Sequence, residues 1–295
     1  MTTVLVTGST GNIGSFVVDH LLKREVKVKA AVTNFERGKQ IFNGKNLNLI
    51  EFDFKKSDTY KSALAEVDKI FLVRPPQLAS PKEDMLPFLK EAKKAGVQHI
   101  VFVSLMGVEN NPVVPHRKIE GFIRDLGFKY TFLRPSFFMQ NLNTTHLDDV
   151  VKRNELFMPV GSAKTSFIDT RDIAEVAAIC ITETEHENMA YTLTGNEAIT
   201  YFEAADIMTE VLGRNITYCN PRIFEFRRTI MKRGTPKNFA NVMTMLYVMT
   251  RFGTAEKITE TTENLLKRKP ITFREYVEDF KEDFQKKNYE NIQKD

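Results

Sequence analysis

Six short apolar runs, alternating with helix-like segments, constrain the fold of this chain more than any other feature. Val4–Val6, Val28–Val32, Leu47–Phe52, Ile70–Val73, Ile100–Val103 and Tyr130–Leu133 are each rich in Val, Ile, Leu or Phe. Such runs suit strands buried on both faces. The stretches between them read as helices. Ile13, Val17, Val18 and Leu21 share one face of the first. Ser80 and Glu83 form a candidate capping box around Pro81, and Gly96 and Gly127 are candidate helix ends. Strand–helix alternation with short links predicts a parallel, doubly wound α/β sheet.

The rhythm changes after about residue 140. Residues 165–184 read as a short strand and a helix returning to the sheet. Beyond them, Thr200 with Glu203 and Thr272 with Glu275 are capping boxes that open two helices. Phe273, Tyr276, Val277, Phe280 and Phe284 make an apolar stripe on the last one. The expected organisation is a Rossmann-type domain over 1–155, with 165–184 returning to it. A smaller C-terminal α/β lobe over 185–295 serves a substrate or partner and packs on the carboxyl edge of the sheet.

Between the first strand and the first helix stands VTGSTGNIGSFV, with Gly8, Gly11 and Gly14 spaced GxxGxxG. Glycines there permit a tight turn and let backbone N–H groups approach a pyrophosphate. The helix N-terminus favours its negative charge. The strand before and the helix after are the context that gives a glycine triplet meaning.

VTGSTG, FERGKQ after strand two, Asp53 after strand three and VFVSLMGVE at strand five resemble the short-chain dehydrogenase/reductase superfamily. LRPSFFMQNL (133–142), FIDTRDIAEVAA (167–178) and LTGNEAITYFEAADIMTEVLG are similar to its NmrA-like subfamily. The resemblance implies cofactor contacts from Gly8, Ser9, Thr10, Gly11, Asn12, Ile13 and Gly14 in the loop. It implies others from Asn34, Arg37, Asp53, Phe54, Val73, Arg74, Pro75, Ser104, Pro135, Ser136, Phe137 and Phe138. His116, Phe138, Met139 and Asn141 would line the substrate pocket. Thr33 and Asn34 stand where an acidic residue would hold the ribose hydroxyls of NAD, and Arg37 and Lys39 follow, opposed by Glu36. NADP(H) is therefore the expected cofactor, with NAD(H) the other possibility.

Members of the superfamily carry a catalytic YxxxK after strand five. The equivalent spacing here is His116-Arg117-Lys118-Ile119-Glu120. Both residues lie on the shoulder of the stripe made by Ile119, Phe122, Ile123 and Leu126. The pair is either a lost catalytic position facing the cofactor or a solvated helix start. A carboxylate raises the pKa of a neighbouring acid, so Glu120 cannot replace the lysine. His116 remains a candidate proton donor, since a free imidazole titrates near ~6.5. Ser104, ending strand five, is a second catalytic candidate. A quinone-, azo- or other small aromatic acceptor asks least of such a site. The alternatives are a non-catalytic NADP-binding redox sensor with a protein partner and, less favoured, an epimerase of nucleotide sugars.

Composition narrows the remainder. Forty-two basic and 38 acidic residues, interspersed, give +4, too little and too mixed for nucleic acid. No apolar stretch reaches the roughly 18 residues of a membrane span, and MTTVLVTGST is not a signal peptide. Cys180 and Cys219 have no metal or disulfide spacing, which fits a cytoplasmic protein, monomer or homodimer. Asp169, Asp172 and His186 show no convincing ligand spacing, so no metal is expected. FANVMTMLYVMTRF reads as core or lid, and RIFEFRRTIMKR as a solvated basic helix.

Overall fold

The computed structural model describes residues 1–112 and 114–285. In chain order the elements are β1 (Thr3–Val6), α1 (Gly14–Leu22), β2 (Lys27–Val32), α2 (Phe35–Ile41), β3 (Asn48–Glu51), α3 (Tyr60–Leu64) and β4 (Lys69–Val73). There follow α4 (Pro81–Asp84), α5 (Leu86–Lys94), β5 (His99–Val103), α6 (Pro115–Asp125), β6 (Lys129–Pro135), α7 (Leu147–Arg153), β7 (Glu155–Leu156) and α8 (Thr170–Thr182). The chain continues with β8 (Met189–Leu193), α9 (Tyr201–Leu212), β9 (Thr217–Tyr218), α10 (Ile223–Lys232), α11 (Lys237–Arg251), α12 (Thr261–Leu266) and α13 (Phe273–Asp279).

Two compact units result. The first holds Met1–Pro135 and Thr170–Leu193, the second Ser136–Asp169 and the chain from Thr194 onward. These limits differ from 1–155, 165–184 and 185–295. The reason is β8, which pairs parallel with β6 through Leu133 and Tyr191 and so belongs to the first unit.

The first unit is a seven-stranded sheet in the order β3-β2-β1-β4-β5-β6-β8, and every pairing is parallel. All six sequence-predicted strands are present within a residue or two. They were readable because β1 and β5 are buried along their whole length and β4 along its centre. One face carries α1 against α8, with Val17, Val18, Leu21, Ile173, Ala177 and Ile181 buried. On the other, Phe88 and Tyr60 pack their rings on Phe52 at 4.9 and 6.0 Å. The order reverses between β1 and β4, the place where ligands bind in open α/β sheets.

The proposed capping box at Ser80 does not form. Ser80 caps α4 without a side-chain bond; instead its own N–H donates to Asp84 Oδ2 at 2.9 Å. Gly96 and Gly127 do follow their helices with φ of +89° and +70°.

The second unit pairs β7 with β9 in a short parallel sheet and surrounds it with helices. Its core is aromatic: Phe157, Phe167, Tyr201, Phe226, Tyr247, Phe273, Tyr276 and Phe284 are buried. Both capping boxes are present, Thr200–Glu203 and Thr272–Glu275. The last helix stops at Asp279, yet Phe284 still reaches the core from the turns beyond. α11 buries Met243 and Tyr247 and exposes Val242 and Met245. Arg233, after α10, is not solvated: it pairs with Asp149 at 2.7 Å and Glu155 at 2.9 Å.

Candidate dinucleotide site and its catalytic position

The chain must turn sharply where β1 meets α1, and the glycines show why. Gly8 adopts φ +60°, and its carbonyl accepts from Gly11 N–H at 2.9 Å. A Cβ on Gly14 would lie 2.1 Å from that same carbonyl oxygen, closer than any side chain permits. Ser9 Oγ donates to Ala31 O at 2.7 Å and ties the loop to β2. Thr7 Oγ1 donates to Phe71 O at 3.1 Å and accepts from Val73 N–H at 3.0 Å, tying it to β4. Thr10 is half-buried; Gly11 and Asn12 are exposed.

α1 then starts with no side-chain cap at Ile13 and no acidic residue in its first turn. Ser15 N–H is taken by Gly11 O at 3.2 Å, and the positive dipole end of the helix is left for an anion. A turn so tight that its own backbone leaves no room for a Cβ at Gly14, beside an uncapped helix start, fits a dinucleotide pyrophosphate.

At the end of β2 the side chains sort themselves. Asn34 caps α2, its Oδ1 accepting from Arg37 N–H at 3.0 Å. Glu36 pairs with Lys39 at 2.9 Å. Arg37 is exposed, and its guanidinium makes no ion pair among the described residues. Asp53 turns back on its own loop, accepting from Lys55 N–H at 2.9 Å, and Phe54 is buried against Phe52 and Phe88. Val73 ends β4 and Pro75 follows it, both half-buried. Arg74 donates to the carbonyls of Pro75, Pro76 and Leu78, so it holds its own loop, and burial lowers its pKa.

His116 and Glu120 part company. Glu120 is fully buried, neither solvated nor directed at a ligand. It accepts from Ser104 Oγ at 2.7 Å and, on both oxygens, from Arg134 at 3.0 and 2.8 Å. Arg117 and Arg124 lie 3.8 and 3.7 Å away, and Arg134 reaches Glu109 at 3.2 Å. Ser104 therefore spends its proton on a carboxylate, which is not the arrangement of a proton donor to substrate. Sequence reasoning missed Arg134 altogether. The only hint was a basic residue beside the end of strand six with arginines three before and four after a helical glutamate.

His116 stacks on Phe102 at 5.9 Å and 27°. Its Nδ1 is buried with no hydrogen-bond partner among the described residues, although the residue keeps some exposure. Burial, helped by the nearby Arg74 charge, pushes its pKa down to about 3. The imidazole is therefore neutral at pH 7, and the expectation of an imidazolium donor near ~6.5 is corrected.

The remaining expected residues lie at the boundary and in the second unit. Pro135 ends β6, its carbonyl accepting from Met106 N–H at 3.0 Å. Ser136 is buried and accepts from Ser166 Oγ at 3.2 Å. Phe137 stacks on Tyr247, and Phe138 bridges to Ile168. Asn141 is half-buried. Met139, expected in a substrate pocket, is 1% exposed and belongs to that unit's core. Among the described residues no helix is long and apolar enough to cross a membrane.

Known proteins resemble this chain over most of its length. The NAD(P)H azoreductase of Xenophilus azovorans is 31% identical over 279 residues, covering 93% of this chain and 96% of that protein. Prestalk A differentiation protein A of Dictyostelium discoideum is 27% identical over 278 residues, covering 94% and 91%. The structure of an NADPH-dependent quinone oxidoreductase from Escherichia coli complexed with NADPH shares the fold, with a TM-score of 0.84 and 24% identity over 95% of this chain and 99% of that one. The family model for the NmrA-like family matches residues 1–277, and the chain belongs to that family.

Proposed function

We propose that the chain is an NAD(P)H-dependent reductase of small conjugated acceptors, quinones or azo compounds, with NADPH preferred. The observation that carries the reading is a catalytic position without an acid. Where the superfamily has tyrosine and lysine, a neutral His116 and an ion-paired Glu120 stand, in a chain that keeps the glycine loop intact. Acceptors whose reduced anion is delocalised need no strong acid to form it. The azoreductase relative supports that acceptor class.

In this reading the glycine loop and the positive end of α1 hold the pyrophosphate. Arg37, whose guanidinium makes no ion pair among the described residues, meets the 2′-phosphate. A reduced nicotinamide held there would supply hydride. His116, fixed by Phe102, offers a neutral imidazole that orients an acceptor oxygen by a hydrogen bond and carries no exchangeable charge. Hydride brings the acceptor two electrons and one proton, and water supplies the second proton. Glu120 holds Ser104 and Arg134, and so fixes the carboxyl ends of β5 and β6 around the position.

The same lack of an acid favours a second reading, a dinucleotide-binding regulator without turnover, acting on a protein partner. One experiment separates the two: NADPH oxidation screened across quinones, azo dyes and aldehydes, beside calorimetric binding of NADPH and NADH. Turnover of a quinone or azo dye supports the reductase. Tight NADPH binding with no turnover of any acceptor overturns it in favour of the regulator.

A further inference from the structure

We infer that Glu183, Glu185 and His186 form a binding site for a divalent cation of the zinc class, in the turn between α8 and β8. No metal was expected from the sequence, because Asp169, Asp172 and His186 show no convincing ligand spacing. The fold changes that. His186 is 6% exposed, and its Nε2 is buried with no hydrogen-bond partner. That nitrogen points between two carboxylates, 3.4 Å from Glu183 Oε2 and 4.0 Å from Glu185 Oε1. One donor atom from each of the three residues lies within 4.8 Å of the others. Ligands about 2.0–2.1 Å from a tetrahedral metal lie about 3.4 Å apart; the His186–Glu183 pair already has that spacing, and the glutamates, half and three-quarters exposed, can move to close the rest.

The histidine is held as a ligand would be. Its Nδ1 lies 2.9 Å from Tyr191 Oη on β8. With Nδ1 protonated and donating there, Nε2 presents its lone pair, the outer-shell arrangement usual for metal-bound imidazole. Its carbonyl accepts from Thr131 Oγ1 at 2.7 Å. Thr131 has then spent its one proton, so His99, 2.9 Å away, must donate to it through Nε2. The turn is thus fixed to β6 by a chain of buried bonds. The neighbouring Glu187 is taken by Lys129 at 2.8 Å and is left out of the ligand set. An imidazole with two carboxylates selects Zn2+, Co2+ or Ni2+ over Mg2+ or Ca2+. The competing account is a protonated His186 paired with the same glutamates, which binds no metal.

The test is Co2+ titration of the full chain after EDTA dialysis, read by d–d absorption, with Zn2+ binding by calorimetry. One saturable site per chain is expected, displaced by Zn2+ but not by Mg2+. Glu183→Gln/Glu185→Gln changes only exposed side chains and should weaken binding at least tenfold. His186→Gln should abolish the d–d signal. Absence of saturable Co2+ binding below the millimolar range, or a site that survives both variants, overturns the inference.

Discussion

Replacing His116 by Phe makes the sharpest test of the catalytic position. Its imidazole is held near a pKa of about 3 against an ordinary 6.5. Between these values the unfolded chain binds a proton that the folded chain refuses. Stability from this residue is therefore complete above 6.5 and is lost as pH falls toward 3. At about 1.4 kcal/mol per pH unit, most of the interval from pH 7 to pH 4 counts, giving a loss of about 3 kcal/mol. Part of the residue reaches solvent although Nδ1 does not, which makes this an upper figure. His99, held down at about 4 by burial, adds a loss of the same sign in parent and variant alike and cancels in the comparison. Phe in place of His116 keeps the stack on Phe102 and has no proton to refuse. Urea unfolding at pH 7 and pH 4 should show His116→Phe losing less stability than the parent, by up to about 3 kcal/mol. With an active quinone, kcat should carry no titration near 6.5 in either protein, and the substitution should change it by less than about tenfold, against roughly 10²–10⁴-fold for an obligatory acid. Identical acid sensitivity in the two proteins would refute the buried neutral imidazole. A hundredfold fall in kcat with loss of a titration near 6.5 would refute its passive role.

Three further outcomes follow from the same geometry. Gly14→Ala puts a Cβ against the Gly8 carbonyl; NADPH affinity should fall at least tenfold while the variant stays folded, at a stability cost of about 1–3 kcal/mol, checked by calorimetry and circular dichroism. Arg37→Ala should lower the ratio of NADPH to NADH affinity by roughly tenfold and leave NADH binding unchanged; an unaltered ratio would remove Arg37 from the 2′-phosphate. Glu120→Ala strands Arg134 and should cost about 3 kcal/mol in urea unfolding, the low end for breaking a buried pair because Arg134 keeps Glu109; a change within experimental error would mean that the cluster is solvated.

The sheet was legible where burial is two-sided and illegible where it is not. His99–Val103 is apolar throughout its core, and no periodicity argument was needed. Met189–Leu193 forms the seventh strand with exposed residues at its start, so Met-Ala-Tyr-Thr-Leu carried neither alternation nor a continuous run. The glycine loop was readable because its chemistry is local: Gly8 and Gly14 meet within one turn. Glu120 was not, because its meaning depends on Arg134, brought alongside by the packing of α6 on β6. A helical glutamate flanked by arginines looks the same from sequence whether it faces water or a guanidinium. His186 shows the same limit, since only the fold buries its Nε2 between two glutamates.

The interleaving of the two units has a consequence for how the chain is made. Leu133 and Tyr191 are neighbours in one sheet, and the segment Ser136–Asp169, synthesised between them, belongs to the other unit. A ribosome thus releases six strands with the outer edge of β6 still unpaired. That edge must wait until the chain beyond Leu193 has emerged before it is covered. During that wait it is an open template for pairing with another nascent chain, a hazard of non-local parallel strands. Truncation after Thr182 would make the hazard permanent. The half-exposed β8 acts as a late-arriving selvedge, closing a sheet that is otherwise already woven.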